Sequence, residues 1–307
     1  MDKMSFDEFK EKVYETLRSR YPDKLIDKQD ILKNNDTPQT GITIRDKGQN
    51  VAAVIYMESF YFDQYLEGRN FEEIVDMIKA LSDENNCKIE KDKITTTFTF
   101  DNIKDKIVPV LVNKVGNEKR LEHLVNRDFL EFSIVYKAVL KKVGEATDAT
   151  VLIRDEMLTM WDVTAEEIHK LAMKNAPTLR PAEFKEIQTV INELAKEKSW
   201  LLPDLPETDF MYVATNTIGL EGAAVILYDG FLQRVYEELG SGFYVIPSSV
   251  DEVILLKGTE DNEATYELIK LIKEVNTTNL EYPKILGWLP MYYDGTELRV
   301  EVPTYKI

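Results

Sequence analysis

Two carboxylic acids and two tyrosines have the residue types and the placement that could support acid–base chemistry. Glu58 and Asp229 each stand where a β-strand pattern gives way to a helical pattern, with Tyr56 and Tyr228 beside them. Ligand sites of α/β folds collect at such junctions. If the two junctions approached each other, the acids could form an acid–base or metal-binding pair in a hydrolase. The catalytic candidates are therefore Glu58, Asp229 and Tyr228.

The same positions also have a structural explanation, which we favour. A carboxylate at the start of a helix accepts hydrogen bonds from free backbone amides and meets the positive end of the helix dipole. Glu58 and Asp229 are thus expected to serve as N-caps or as acids in the first turn of their helices. The sequence leaves open whether the protein is an enzyme and favours the interpretation that it is not.

Histidine offers little further chemistry, because the chain contains two of them. His169 follows Glu166 by three residues on a predicted helix, so it could be a ligand or a base beside a carboxylate. We favour a structural place for His169 next to the buried face of that helix. His123 falls in a charged segment and is expected to be exposed, and Cys87 is interpreted as incidental.

The sequence lacks the common motifs of phosphate, nucleophile and metal sites. It contains no Gly-x-x-x-x-Gly-Lys loop, no Gly-x-Ser-x-Gly elbow, no His-Glu-x-x-His pair and no EF-hand loop. A single cysteine excludes an intramolecular disulfide and a cysteine-cluster metal site. We therefore predict neither a cofactor nor a metal.

The strongest pattern of the chain lies in its C-terminal third. Met211–Thr217 and Ala223–Tyr228 are apolar, β-favouring runs around a glycine-containing turn, which predicts a hairpin with a five-residue loop. An amphipathic helix is predicted at about Gly230–Leu239. Phe243–Ile246 and Val253–Leu256 are predicted as two more short strands.

A related pattern occurs earlier in the chain. When position 52 is laid on position 223, Ala52-Ala53-Val54-Ile55 matches Ala223-Ala224-Val225-Ile226, and Phe60 matches Phe231. We interpret this match as an internal duplication of a hairpin-helix unit. The alternative is that buried hairpins generally use Ala, Val and Ile.

The other patterns alternate strands with helices. Ser5 with Glu8, and Thr164 with Glu167, form capping boxes that begin two helices. Further helices are predicted at Ile103–Val115, kinked or broken at Pro109, and at about Ala182–Lys198. Paired strands are predicted at Gly41–Arg45 with Val51–Tyr56, at Phe132–Leu140 with Thr150–Ile153, and at Leu289–Tyr293 with Glu297–Val302. The fold class is therefore α+β, with mixed, largely antiparallel sheets covered by amphipathic helices.

The length of 307 residues, with 44% hydrophobic residues, allows a sizeable core and predicts two domains, or one large domain with an insertion. We expect an N-terminal unit at 1–100 with the first hairpin-helix copy, a middle hairpin with helices at 101–200, and a C-terminal unit at 208–307 with the second copy. Trp200–Asp209, which contains two prolines, is the candidate linker. The N-terminal pattern predicts an amphipathic helix and no secretion signal, so a cytoplasmic location is expected.

The formal net charge of −17 argues against direct nucleic-acid binding, because affinity for DNA or RNA comes mostly from Lys and Arg that neutralise phosphates. An acidic surface could instead imitate nucleic acid in the basic groove of another protein. The alternative, which we favour, is that the acidity keeps the protein in solution. No apolar run is long enough to cross a membrane.

Four stretches identify the chain further: SFDEF, GITIRDKGQNVAAVIYMESFY, VLIRDEMLTMWDVTAEEIHKLAMKNAP and AAVILYDGFLQRVYEELGSGFYVIPSSVDEVILL. On these stretches the chain resembles a family of hypothetical proteins from Gram-positive anaerobic bacteria, a domain of unknown function. The resemblance covers nearly the whole chain and implies a bacterial origin. It implies no activity.

The sequence does not establish a function. We expect a cytoplasmic binding or regulatory module that recognises a protein or a small ligand. The alternatives are a hydrolase-like enzyme that uses the carboxylate pair Glu58 and Asp229, and an acidic inhibitor that imitates nucleic acid.

Overall fold

The computed structural model describes residues 3–49, 52–91, 99–142, 148–197 and 210–303. It divides into two compact units. Unit 1 comprises Met1–Lys33 and Thr37–Asn102, and unit 2 comprises Asn34–Asp36 and Ile103–Ile307. The expected linker, Trp200–Asp209, lies outside the described residues. Whether 1–100, 101–200 and 208–307 fold independently stays a prediction.

Unit 1 packs helices against a three-stranded antiparallel sheet. Its helices are α1 (Phe6–Arg20), α2 (Met57–Phe60), which continues as a π-helical turn at Tyr61–Tyr65, α3 (Phe71–Lys91) and α4 (Phe100–Ile103), the last ending at the boundary with unit 2. Its strands are β1 (Leu25–Leu32), β2 (Pro38–Arg45) and β3 (Val54–Tyr56), in the order β1-β2-β3. The predicted pairing of β2 with β3 is confirmed.

Local sequence explains how α1 begins and which face it buries. The Ser5 hydroxyl accepts a hydrogen bond from the Glu8 amide at 3.3 Å, and the Glu8 carboxylate accepts one from the Ser5 amide at 2.8 Å. This is the predicted capping box. Phe9, Val13 and Leu17 recur every four residues, share one face of the helix and are fully buried. That face forms the core of unit 1 with Ile42, Ile44, Ile55, Met57, Ile74, Val75 and Ile78.

Unit 2 contains two antiparallel sheets. One consists of β4 (Ile107–Asn113), β5 (Asn126–Phe129), β6 (Phe132–Lys142) and β7 (Asp148–Leu152). In this sheet β4, β5 and β7 each pair with β6. The other consists of β8 (Ala182–Glu186), β9 (Met211–Asn216), β10 (Phe243–Ile246), β11 (Val253–Lys257), β12 (Met291–Tyr293) and β13 (Leu298–Val300), in the order β13-β12-β10-β11-β9-β8. The predicted pairs β6–β7 and β12–β13 are confirmed.

Helices and short 3-10 segments complete unit 2. The helices are α5 (Glu118–Leu121), α6 (Asp155–Trp161), α7 (Ala165–Leu179), α8 (Ile187–Glu197), α9 (Phe231–Leu239) and α10 (Asn262–Thr278). The 3-10 segments are Asn34–Asp36, Lys104–Lys106, Val115–Asn117, Gly222–Leu227 and Tyr282–Lys284. The capping box of Thr164 and Glu167 at the start of α7 is confirmed. Mostly antiparallel sheets combined with helices make this an α+β protein, as predicted.

The predicted hairpin of Met211–Thr217 with Ala223–Tyr228 is wrong. Gly222–Leu227 forms a 3-10 helix, and β9 pairs with β8 and β11 instead. Ala223 to Ile226 are all buried, and hydrophobicity alone cannot distinguish a short buried strand from a short buried helix. The first segment does form a hairpin, so the structure does not show the internal duplication.

The predicted kinked helix at Ile103–Val115 is also wrong. Residues 107–113 form β4, which is buried at every position and pairs with β6. β4 ends the β4-β6-β5 order of its sheet. A proline fits such an edge strand, because its missing N–H can be placed away from the ladder. Pro109 therefore indicated an edge strand rather than a kink.

The predicted helix at about Ala182–Lys198 begins later than expected. Ala182–Glu186 forms β8, which pairs with β9, and only Ile187–Glu197 is helical. The Phe184 ring stacks on Tyr212 of β9, with ring centroids 4.7 Å apart. This cross-strand pair overrides the helical spacing of the apolar residues. The preceding helix, α7, includes Pro177.

Most residues expected in the core are buried. They are Ile55, Phe60, Val225, Ile226, Phe231 and Phe243, whereas Ala53 and Val54 are only partly buried. No helix of the described residues has both the length and the apolar character that a membrane span requires.

Replacing Phe231 by Ala should lower the free energy of unfolding by about 3–5 kcal/mol, because its ring is almost fully buried and its loss leaves a cavity. Glu238 lies on the exposed face of the same helix, and its replacement by Ala should cost less than about 0.5 kcal/mol. Urea denaturation of both variants measures the difference. Equal losses would show that α9 is peripheral.

Candidate functional site

A cleft with a volume of about 380 Å³ lies in unit 2. Binding sites for small molecules generally have volumes of about 300–1,000 Å³. We call it the Glu131 cleft. It is lined by Asn35, by Asn113, Lys114, Val115 and Gly116, by Glu131, and by Tyr282, Ile285 and Trp288.

A buried set of asparagine amides holds the loops around this cleft. The Asn117 side-chain oxygen accepts a hydrogen bond from the backbone N–H of Asn35 at 2.9 Å. The Asn117 NH₂ group donates to the Asn35 side-chain oxygen at 3.0 Å. The NH₂ group of Asn35 donates to the carbonyls of Tyr282 and Ile285 at 2.6 and 2.8 Å. Asn113 donates to the Leu286 carbonyl at 3.1 Å. Loops that are distant in sequence are therefore fixed to one another by buried hydrogen bonds.

The backbone conformation of Asn35 and Asp36 makes this arrangement possible. Their φ angles are 56° and 47°, in the left-handed region that Asn and Asp adopt more readily than most residues. The Asp36 carboxylate then accepts hydrogen bonds from the amides of Lys119 and Arg120, each at 2.9 Å, and caps α5. In the sequence these residues belong to a polar cluster, Asn34-Asn35-Asp36-Thr37-Pro38, which is typical of a turn.

A strained hairpin turn places Glu131 at the cleft. β5 and β6 pair up to Phe129 and Phe132, which leaves a two-residue turn of Leu130 and Glu131. Leu130 has a φ of 52°, a conformation that such turns usually obtain from glycine. Strained backbone of this kind is often found at functional sites.

The Glu131 carboxylate contacts the backbone of the facing loop. Its Oε1 accepts a hydrogen bond from the Leu289 amide at 3.4 Å, and the Trp288 amide also donates to this carboxylate. The approach is close: a side chain on Gly287 would lie 2.6 Å from Glu131 Oε1. Burial raises the pKa of Glu131 to about 7, and the two amides act in the opposite direction.

Two aromatic residues and one lysine also line the cleft. Tyr282 and Trp288 are 54% and 38% exposed, so both residues are accessible. The Lys114 ammonium lies 2.5 Å from the Asp128 carboxylate. Within the described part of the chain, Glu131 forms no ion pair. The cleft therefore presents a carboxyl group with a pKa near neutrality beside two aromatic side chains.

Glu58 occupies the first turn of α2 in unit 1, but it does not cap that helix. Its Oε1 accepts a hydrogen bond from the Thr40 amide of β2 at 2.7 Å, and α2 has no side-chain cap. Glu58 thus connects the helix to the sheet. Glu58 is therefore a first-turn acid, as one form of the prediction has it, whereas the N-cap form is wrong because the carboxylate binds a strand amide instead.

Asp229 is exposed and does not cap α9. The N-cap residue is Gly230, with a φ of 68° and no side-chain hydrogen bond. The chain thus enters this helix through a left-handed residue, and the predicted cap at Asp229 is wrong. Tyr228 is buried, and its hydroxyl donates to the Arg180 carbonyl at 3.0 Å. Burial raises the pKa of Tyr228 to about 12, which keeps its proton in place at neutral pH.

Glu58 belongs to unit 1, whereas Asp229 and Tyr228 belong to unit 2. Action of the two acids as a pair stays a prediction. Among the described residues, no three His, Cys, Asp or Glu side chains converge as a metal site would require.

His169 pairs with a tyrosine rather than with the nearby carboxylate. Its Nδ1 lies 3.0 Å from the hydroxyl of Tyr136, which is buried in β6. Glu166 instead forms an ion pair with Arg127 at 3.1 Å. Burial, followed by the charge of Arg127, lowers the pKa of His169. His169 is half-buried beside the fully buried Ile168, as its structural interpretation predicts.

The two remaining residues singled out from the sequence contribute no site. His123 is exposed, as predicted, but lies in a turn rather than a helix. Cys87 falls in α3, and its side chain is outside the described residues.

Comparison with known proteins yields one family. A family model described as a family of unknown function (DUF5688) matches residues 6–295. No match is found among the curated proteins or the solved structures.

At Leu130 a Gly variant should be more stable than an Ala variant, the reverse of their order inside a helix. A left-handed residue with a side chain costs about 1–2 kcal/mol, which exceeds the entropic penalty of about 0.5–1 kcal/mol for Gly. Leu130→Gly should therefore be more stable than Leu130→Ala by about 0.5–1 kcal/mol in urea denaturation. At Glu274, inside α10, the Gly variant should be less stable than the Ala variant by about 1 kcal/mol. The same ranking at both positions would contradict the assigned turn.

Stability should depend on pH through Glu131. Its pKa is raised from 4.5 to about 7, so between these values the folded protein holds a proton that the unfolded chain releases. The stabilisation is complete below about pH 4.5 and is lost as the pH rises to about 7. Relative to Glu131→Gln, the wild-type protein should lose about 1–3 kcal/mol over this interval, a range that allows for screening at the cleft mouth.

Urea denaturation at pH 4.5 and 7.5 tests this expectation. Glu274→Gln, an exposed substitution in α10, is the control and should follow the wild-type protein at both pH values. The contrary result is a difference in the free energy of unfolding between wild type and Glu131→Gln that stays constant with pH, or that shifts in favour of wild type as the pH rises. Either would show that Glu131 is not buried as described.

Proposed function

The chain belongs to DUF5688, a family of unknown function, and we propose that the protein binds a small ligand in the Glu131 cleft. The proposal is carried by one observation: a carboxyl group that lacks an ion pair within the described residues shares a cleft of ligand size with two accessible aromatic side chains. Pockets of this kind combine apolar contact area with a few polar groups that orient the ligand.

The asparagine framework supports binding because it fixes the cleft through contacts within the protein. Asn117 is fully buried, and both ends of its amide are hydrogen-bonded to protein groups. Asn113 is engaged in the same way, since its oxygen accepts from the Gly116 amide at 2.6 Å and its NH₂ group donates to Leu286. A ligand therefore meets a preorganised wall, and binding requires little ordering of the loops.

A second candidate function is suggested by the protonation of Glu131. A carboxyl group with a pKa of about 7 suits a general acid or base at neutral pH. Catalysis would need a second group that acts on the same substrate. The other charged side chain of the lining, Lys114, is bound to Asp128. Binding without turnover is for this reason the function we prefer.

Several finer expectations from the sequence remain proposals. They are a regulatory role, a protein ligand, a cytoplasmic location, an origin in Gram-positive anaerobic bacteria, nucleic-acid mimicry and a hydrolase that uses Glu58 and Asp229. The low content of Lys and Arg relative to Asp and Glu continues to argue against direct nucleic-acid binding. The internal duplication has less support, since only the first of its two segments forms a hairpin.

Blocking the cleft should abolish ligand binding while the fold persists. Val115 lines the cleft and is 76% exposed, so a tryptophan at this position can fill the mouth without entering the core. Val115→Trp should weaken binding of ring-containing fragments at least about tenfold, a loss of about 1.4 kcal/mol. Ligand-observed NMR with a general fragment set provides the measurement.

Val302→Trp is the matched control, because Val302 is 63% exposed and does not line the cleft. It should bind the same fragments as the wild-type protein, and thermal denaturation should show both variants folded. The proposed function is contradicted if no fragment binds the wild-type protein, or if Val115→Trp retains every fragment.

A further inference from the structure

We infer that the ligand of the Glu131 cleft carries a positively charged amine, which pairs with the Glu131 carboxylate and contacts the rings of Tyr282 and Trp288. This inference rests on the proposed function and narrows it to one class of ligand, small organic ammonium ions.

The first argument is that the cleft contains a carboxylate without a counter-charge. The hydrogen bonds that Glu131 receives within the described chain come from two backbone amides, those of Trp288 and Leu289. Amides stabilise a carboxylate but do not neutralise it. A desolvated charge without a partner is costly, so such groups are generally paired or have a functional role.

Two other partly buried acids of unit 2, Glu221 and Asp251, have cationic partners. Glu221, whose side chain is 21% exposed, contacts the Lys137 ammonium and lies 3.8 Å from the Arg180 guanidinium. Asp251 lies 2.5 Å from the Lys284 ammonium. Glu131, in contrast, forms no ion pair within the described residues, although a lysine lines the same cleft.

That lysine does not supply the missing charge. Lys114 is bound to Asp128, which lies on β5, and the charge of Lys114 is not among the causes that shift the pKa of Glu131. Lys114 and Tyr282 are the other titratable side chains that line the cleft, with Asp128 beyond Lys114. A positive charge beside Glu131 must therefore come from outside the described chain.

The second argument concerns the aromatic walls. The face of an aromatic ring carries partial negative charge and attracts cations, with Trp the strongest of the side chains. Tyr282 and Trp288 both line the cleft and both remain accessible. A ligand ammonium would thus meet a carboxylate and two rings that all favour positive charge. An anionic ligand would be repelled by Glu131 and by the net charge of −17.

Binding of a cation to Glu131 must be linked to protons, because only the ionised carboxylate attracts the ligand. With a pKa of about 7, Glu131 is about half protonated at pH 7, so binding should release about half a proton there. Affinity should rise with pH between 6 and 8. A ligand held only by apolar contacts would show neither effect.

The test compares phenethylammonium with its neutral analogue 2-phenylethanol by isothermal titration calorimetry on the full chain. At pH 8 we expect the amine to bind at least about tenfold more tightly than the alcohol. Its affinity should fall up to about tenfold from pH 8 to pH 6. Titrations at pH 7 in buffers of different ionisation enthalpy measure the proton release.

Glu131→Gln keeps the size of the side chain and its acceptor for the Leu289 amide but removes the charge. In this variant the amine and the alcohol should bind equally, and proton release should disappear. Glu274→Gln removes the same charge at an exposed site and should behave like the wild-type protein.

The outcomes separate the inference from the proposed function. The inference is overturned if the alcohol binds as tightly as the amine, if Glu131→Gln keeps the preference for the amine, or if the amine fails to bind at pH 8. In the first case, loss of both probes in Val115→Trp would still support a ligand-binding cleft. The fragment comparison between Val115→Trp and Val302→Trp decides the proposed function independently of ligand charge.

Discussion

The two hydrogen bonds that the Asn117 side chain forms, one with the backbone N–H and one with the side-chain oxygen of Asn35, are the interaction on which the rest of the cleft depends. Both residues are buried, and a buried amide without partners would cost about 1–3 kcal/mol for each unmet group. Their mutual bonds remove that cost and at the same time position the loops that carry Tyr282, Ile285 and Gly116. The polar interior of this region thus selects one arrangement of loops, whereas apolar packing alone would tolerate several.

Glu131 depends on this arrangement in a different way. Its carboxylate is brought under the Trp288–Leu289 backbone by a turn whose first residue, Leu130, adopts a left-handed conformation. The pairing of β5 with β6 imposes that conformation, because it leaves two residues to reverse the chain. Strand pairing in the sheet therefore stabilises a turn that holds the Glu131 carboxyl group in a partly buried position. The pKa of Glu131 is raised by this burial rather than by neighbouring charges.

The sequence correctly predicted features that are formed by residues close together in the chain, such as helix caps. The capping boxes at Ser5 and Thr164 follow from contacts three residues apart, and both are present. Residues 223–226 were wrongly predicted as a strand because a short buried apolar run is compatible with a strand or a helix. The run around Pro109 was wrongly predicted as a kinked helix because an edge strand also accepts proline. The cleft could not be predicted, because Asn35 is bonded to residues as far away as Ile285. What the sequence indicated of this region was a turn, from the polar cluster of Asn34 to Pro38.

The assignment of Asn34–Asp36 to unit 2 has a consequence for how the chain reaches its final state. These three residues are synthesised before the rest of unit 2, yet their partners lie 82 to 250 positions further along the chain. Closing loops of that length carries an entropic penalty that grows slowly with loop length. The cleft can therefore be completed only after the last loops have emerged from the ribosome, and residues 103–307 expressed alone would lack the amide donor of Asn35 and the carboxylate of Asp36. Synthesis order thus makes the Glu131 cleft one of the last features of the protein to form.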